Sequence, residues 1–269
     1  MPKVEPYLAR IGYAGNCAPT EALLRQLHRL HLTHVPYENL DLVLHRPCPL
    51  DAASVWRKIV EAGRGGYCFE LNGLFACLLR ELGYRVTEYF GRWLLGEAPL
   101  PARRHRILRV EAEGRTFVAD VGVGCVCPLE PLVFEPDTVQ MREGRPYRIV
   151  RDDRLGLVVQ TDAGQGFVNF YSFTEDPQYP IDFEYVHYFC ANSPDSVFNR
   201  EIKVHIFTED GRRSLMEEPD PATGKRQRVL RIGGADGVEQ RVIPDAAALD
   251  DALRRYFGIA IPGLAATGI

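Results

Sequence analysis

From Phe69 onward the apolar residues Leu71, Leu74, Phe75, Leu78, Leu79 and Leu82 recur every three or four positions, and Gly83 follows them. That period marks one face of an α-helix, and a glycine just past the last periodic residue is a common stop, so the pattern predicts a helix opening at about Cys68. Two helices are predicted upstream. Thr20, after Pro19, has the short polar side chain of an N-cap and opens Glu21 to about His31, and Asp51 does the same for a segment running through Glu61. Beyond about Tyr84 the period shortens to two. Strands are predicted at Arg85 to Trp93, in two runs beginning at His105 and Thr116, at Gly156 to Thr161 and at Phe167 to Phe173. After Pro180 a helix around Asp182 to Cys190 precedes strands near Lys203 to Thr208, Arg228 to Ile232 and Glu239 to Ile243, and then a last helix from about Asp245 to Phe257. No internal repeat or low-complexity tract interrupts this order.

Helices, then strands, then a mixture of the two indicate an α+β chain, with expected regions at residues 1–84, 85–180 and 181–269. Its 269 residues, 46% hydrophobic and 25% charged, are enough to bury a large core. A net charge of -4 gives no electrostatic case for nucleic acid. The N-terminus lacks a basic stretch followed by an apolar one, and no run approaches about 18 apolar residues, so neither export nor membrane spanning is expected. Seven scattered cysteines, an odd number, do not form a disulfide framework, and a reducing cytosol suits them.

The chemistry gathers around Arg64-Gly65-Gly66-Tyr67-Cys68-Phe69-Glu70-Leu71-Asn72. Gly65 and Gly66 are expected to allow a tight backbone and leave one face open, and Cys68 then enters the first turn of the helix. Unpaired amides and the positive end of the helix dipole favour a thiolate there. Cysteine is also among the most buried residue types, so the same spacing fits a small core hydrophobe, and partners elsewhere have to decide.

An activated cysteine needs a base, and the base an orienting group. Of seven histidines, His28, His31 and His34 read as solvated or boundary positions on a helix, His45 lies in a proline-flanked loop, and His187 and His205 suit a core. His105 differs because it leads a strand. The turn Glu113-Gly114-Arg115 joins that strand to Thr116-Phe117-Val118-Ala119-Asp120-Val121 as a hairpin, which brings the start of one strand opposite the end of the other and His105 near Asp120. Asp120 stands in an apolar run, where burial would require a hydrogen-bonded or charged partner; the other reading has it ending the strand in solvent.

Other motifs carry less. Gly122-Val123-Gly124 follows a strand, but Cys127 takes the third glycine position and Pro128 and Pro131 oppose a helix, so it is not a dinucleotide fingerprint. Cys125-Val126-Cys127 lacks the second ligand pair of a zinc site, and no metal is expected. Glu217-Glu218 and Lys225-Arg226-Gln227-Arg228 are expected to flank a solvated turn at Thr223-Gly224.

Taken together, Arg64 to Asn72, His105 at a strand start and Asp120-Val121-Gly122-Val123-Gly124 resemble the arylamine N-acetyltransferases in order and spacing. Tyr7-Leu8-Ala9-Arg10-Ile11-Gly12-Tyr13 is similar to that family's opening, and Val35-Pro36-Tyr37-Glu38-Asn39-Leu40-Asp41 to its proline, aromatic, Glu-Asn-Leu motif. The likeness is strong over the first half and thin beyond about Asp137, where Asn192-Ser193-Pro194-Asp195-Ser196-Val197-Phe198 is also similar. It implies a helical bundle, a β-barrel region and an α/β lid, the first two forming a cysteine-peptidase-like core. It further implies a Cys68, His105, Asp120 triad, acetyl-CoA as acyl donor without a metal, and an arylamine or arylhydrazine acceptor. Tyr67, Phe69, Arg104, Val123 and Gly124 would contact substrate, and basic residues of the lid would suit the phosphates of coenzyme A. The family usually has Phe where this chain has Val123, and often Gly where it has Cys125, so a wider acceptor pocket is expected. Three readings stay open beside it: an amide synthase that takes its acyl chain from a carrier protein, a cysteine peptidase or transglutaminase-like enzyme, and a binding module with an incidental triad.

Overall fold

The computed structural model describes residues 4–96, 100–124, 127–234 and 237–266. Helices α1 (Val4–Arg10), α2 (Glu21–His34), α3 (Leu40–Val43), α4 (Ala52–Trp56) and α5 (Cys68–Glu81) come first, interrupted by the two-residue strand β1 (Tyr37–Glu38). Thr20 and Asp51 cap α2 and α4 as expected, their side chains accepting from the amides of Leu23 and Ser54. The segment after Asp51 departs from the expected single helix, because α4 passes at Arg57 into a π-helical turn, Arg57–Glu61.

The α+β class holds. Eight strands form one antiparallel sheet: β2 (Arg85–Trp93), β3 (His105–Ala112), β4 (Arg115–Ala119), β5 (Leu132–Val133), β6 (Gln140–Arg142), β7 (Arg145–Asp152), β8 (Gly156–Asp162) and β9 (Phe167–Phe173), in the order β5-β4-β3-β2-β9-β8-β7-β6. The sheet curls into a nearly closed barrel. Its two end strands are stitched by one side chain: Gln140 of β6 accepts from the Val133 amide at 2.8 Å and donates to the Val133 carbonyl at 2.7 Å. An amide side chain thus pairs backbone that a sheet edge would leave open. Gln140 is 8% exposed.

After α6 (Asp182–Asn192), strands β10 (Lys203–Thr208), β11 (Gly211–Pro219), β12 (Arg226–Gly234) and β13 (Gly237–Ile243) form a second antiparallel sheet, followed by α7 (Ala246–Phe257). The fifth strand of this sheet is β1, with Tyr37 opposite His205. The second sheet therefore includes the segment that bridges Gly66, two residues before Cys68. One core runs through α1, α2, α5, the eight-stranded sheet and Phe183, Val186 and Cys190 of α6. Another joins Leu40 to Val204, Leu215 and Leu230 of the second sheet and Leu249, Leu253 and Phe257 of α7.

One expectation is corrected here and another is met. His28 and His31 are not solvated: they are 1% and 0% exposed, on the buried stripe of α2 with Leu24 and Leu27. The charged segments around residue 223 flank an exposed turn as expected, and they do so as a β-hairpin in which Glu217 pairs with Arg228.

Candidate active site

Cys68 is the first residue of α5, and close packing rather than an open turn explains the two glycines before it. Neither has a positive φ. A Cβ on Gly65 would lie 2.0 Å from the Pro36 carbonyl oxygen, and the Gly66 carbonyl accepts from the Glu38 amide at 2.8 Å. The glycines press the nucleophile's approach onto the 36–38 strand, a close backbone contact that a side chain would prevent.

His105 opens β3 and Asp120 follows β4, both buried. The hairpin delivers them as its turn implied: Nε2–H of His105 donates to Oδ2 of Asp120 at 2.5 Å. The exposed alternative for Asp120 fails. Its other oxygen accepts from Asn72 Nδ2 at 2.8 Å and from the Gly122 amide at 2.9 Å, so the carboxylate is satisfied on both sides, as burial demands. With Nε2 committed to Asp120, Nδ1 is the ring nitrogen left for the thiol. Buried Arg106 ties the two halves together, donating to the Phe69 carbonyl at 3.0 Å and pairing with Glu88.

Two supporting residues escaped the sequence reading. Asn72 lies one helical turn beyond Cys68, a spacing that puts both on one face of α5, and besides Asp120 it holds the Arg106 carbonyl at 2.6 Å and the Val121 amide at 2.9 Å. His28 accepts from the Asp120 amide through Nε2 at 3.1 Å and donates from Nδ1 to the Leu129 carbonyl at 2.9 Å. One neutral imidazole thus spans both ends of loop 120–129. Burial pulls His28 down to about 4, against the lift from the Leu129 carbonyl and Asp120.

Burial pushes the Cys68 thiol up, and Cys190 and Asp120 add to this, while backbone hydrogen bonds around Arg106 and Phe69 oppose it. The helix start favours a thiolate, and burial opposes it. At 3% exposure desolvation outweighs the dipole, and a thiolate there needs a cation beside it. His105 is the group placed to supply one.

Cys68 and His105 both line a cavity of about 570 Å³. Trp93, Leu95, Val123 and Phe198 give it apolar walls, and Lys203, Arg212 and Arg231 of the second sheet give it basic ones. Among the residues expected to contact substrate, Arg104 and Val123 line this cavity. Tyr67, 0% exposed, hydrogen-bonds through its hydroxyl to His187, and Phe69, 1% exposed, packs on Phe183, so both are core residues beside Cys68 and neither lines the cavity. Gly124, at φ 75°, packs against His205. Gly122 packs directly on Cys68: a Cβ there would fall 2.7 Å from the Cys68 Cα. Cys125 lies outside the described residues. The basic run at residues 225–228 does not line the cavity; Arg228 pairs with Glu217 at 3.1 Å.

A thiol, an imidazole and a carboxylate gathered at one cavity suit an acyltransferase, and the comparisons show that class. The N-acetyltransferase family model matches residues 21–265. An arylamine N-acetyltransferase of Escherichia coli is 34% identical over 97% of this chain and 90% of its own length. The solved structure of Mycobacterium marinum arylamine N-acetyltransferase in complex with CoA superposes with a TM-score of 0.85 at 34% identity, covering 97% of this chain and 94% of that one. The chain belongs to the arylamine N-acetyltransferase family of acyltransferases. Proansamycin X synthase of Amycolatopsis mediterranei is 32% identical over 65% of the chain. Among the described residues, no helix is long and apolar enough to cross a membrane.

Proposed function

We propose that the protein acetylates arylamines and arylhydrazines with acetyl-CoA, in two steps through an acetyl group held on Cys68. His105 takes the Cys68 proton at Nδ1, and the sulfur attacks the thioester carbonyl. Collapse of the tetrahedral adduct breaks the bond to coenzyme A, whose sulfur leaves with the proton from His105. The amine then enters the vacated space and attacks the acetyl-cysteine, and its proton passes through His105 as the Cys68 sulfur departs. Asp120 keeps the imidazole in the tautomer with Nδ1 facing sulfur and stabilises its charged form. Backbone amides at the start of α5 are the donors for the oxyanion, each worth about 3 kcal/mol in comparable sites.

The observation that carries this reading is the buried His105–Asp120 bond beside Cys68 at one cavity. The cavity's two characters suit two ligands in turn. Trp93, Val123 and Phe198 fit an aromatic acceptor, and Lys203, Arg212 and Arg231 fit the phosphates of coenzyme A. We place this chemistry in a reducing cytosol, where the six described cysteines stay free.

The similarity to proansamycin X synthase supports a second reading, amide formation with a carrier-bound acyl chain. Initial rates over varied acetyl-CoA and arylhydrazine separate the two. Parallel double-reciprocal lines are expected for transfer through acetyl-Cys68. Intersecting lines contradict the two-step path, and no turnover of acetyl-CoA at all favours the carrier-dependent enzyme.

A further inference from the structure

Behind the nucleophile lies a group of buried charges that the acyl transfer does not touch. Glu70, two residues after Cys68, is 1% exposed, and its carboxylate accepts from the Tyr67 amide at 3.1 Å, closing the start of α5. Gly66 makes the room, since a Cβ there would lie 2.9 Å from the same oxygen. Both Glu70 oxygens also accept from Lys58 Nζ, at 2.9 and 3.1 Å. Lys58 reaches Asp41 at 2.8 Å, Asp41 shares Arg64 at 3.0 Å, and Arg64 pairs with Glu38 at 2.7 Å. The π-helical turn Arg57–Glu61 is the segment that presents Lys58, and such turns are rare departures that concentrate at functional sites.

A cap needs only an acceptor, and a serine or asparagine would serve. Here the acceptor is an ion, buried two residues along α5 from Cys68, where a charge is screened less than at the surface. An unpaired carboxylate at that position opposes a thiolate. A cation bonded to both its oxygens cancels that field while leaving the cap in place.

We propose that Lys58 is a positioning residue of the acyl transfer, one that holds the Glu70 cap and removes its negative charge from the surroundings of Cys68. The inference rests on Cys68 being the nucleophile. The other titratable and charged groups around the thiol are Tyr37 on β1, Arg104 and His105 at β3, Asp120 after β4, Cys190 on α6, and Lys203, His205, Arg212 and Arg231 of the second sheet across the cavity. Those facing Glu70 are Lys58, Glu38 and Cys48. None of these is altered in the test except Lys58 and Glu70.

The test is the rate of Cys68 alkylation by iodoacetamide against pH in the full-length protein, the adduct located by peptide mapping, in Lys58→Met, Glu70→Gln and the double variant. Lys58→Met is expected to move the midpoint up by about one pH unit, a roughly tenfold slower reaction below it. Glu70→Gln keeps an acceptor for the Tyr67 amide and moves the midpoint down. The double variant returns close to wild type, a rescue that a merely structural role for Lys58 would not produce. An unchanged midpoint in Lys58→Met, or a double variant as slow as that single, overturns the proposal. If Lys58→Met does not fold, Glu70→Gln decides, and an unshifted midpoint there overturns it equally. A wild-type Cys68 that is not alkylated at all sinks the nucleophile itself, an outcome distinct from both.

Discussion

The cavity has two walls of different construction. On the wall with Cys68 and His105 the polar groups behind the surface are buried and cross-linked: Asp120 takes His105, Asn72 and Gly122, and Asn72 also holds Arg106 and Val121. On the wall made by the second sheet, cations meet carboxylates in partly exposed pairs, Arg231 with Glu218 at 2.6 Å and Lys203 with Glu201 at 3.5 Å, and the edge strand β13 is exposed along most of its length. Buried networks fix geometry because each broken bond leaves an unsatisfied group, whereas exposed pairs are worth little and exchange partners readily. The contrast supports the proposal that the reaction belongs to the first wall and the recognition of the acyl donor to the second.

The sharpest way to break this division is within the triad. Cys68→Ala abolishes transfer, His105→Ala nearly so, and Asp120→Asn costs on the order of 10⁴-fold in turnover, because the three act as one unit. Steady-state rates with an arylhydrazine read this directly. One layer out, Asn72→Ala deprives Asp120 and the Val121 amide of partners. A fall of about 100-fold in kcat is expected, with a loss of about 2 kcal/mol in denaturant unfolding.

His28 sets the pH dependence of the same wall. Its folded value, about 4, lies below the ordinary 6.5, so between these the unfolded chain binds a proton that the folded one refuses. Its contribution is whole above about 6.5, falls as pH drops, and is gone near 4, about 3 kcal/mol in all. Unfolding free energy should therefore decline over that window in wild type, and less steeply in His28→Gln. The second wall gives the smallest effect. Lys203→Ala and Arg231→Ala should each raise KM for acetyl-CoA by roughly three- to tenfold and leave Cys68 alkylation unchanged. If either slowed alkylation as triad variants do, the division between walls would be lost.

Local pattern revealed much of this molecule. The period of α5, the caps at Thr20 and Asp51 and the hairpin turn at Gly114 are all signals within a few residues, and they led to Cys68, His105 and Asp120. What stayed hidden depends on distance or on mixed surroundings. Strand β11 buries only Leu215, so its sequence shows no alternation. Strand β1 is two residues long and exists because β10, far along the chain, pairs with it. A polar imidazole suggests solvent at His28 and His31, but their burial follows from lying on one stripe of α2 with Leu24 and Leu27, where helical period outweighs residue type. The roles of Asn72 and Lys58 are visible only once α5 meets the 120–124 loop and the π-helical turn.

The central claim is an acetyl group carried on Cys68, and intact-protein mass spectrometry after mixing the enzyme with acetyl-CoA and no amine tests it most directly. One added acetyl, mapped to the peptide containing Cys68 and discharged by an aniline or hydrazine, is the expected result. No adduct on a protein whose Cys68 still reacts rapidly with iodoacetamide would contradict the account and turn attention to a carrier-bound acyl donor or to hydrolysis.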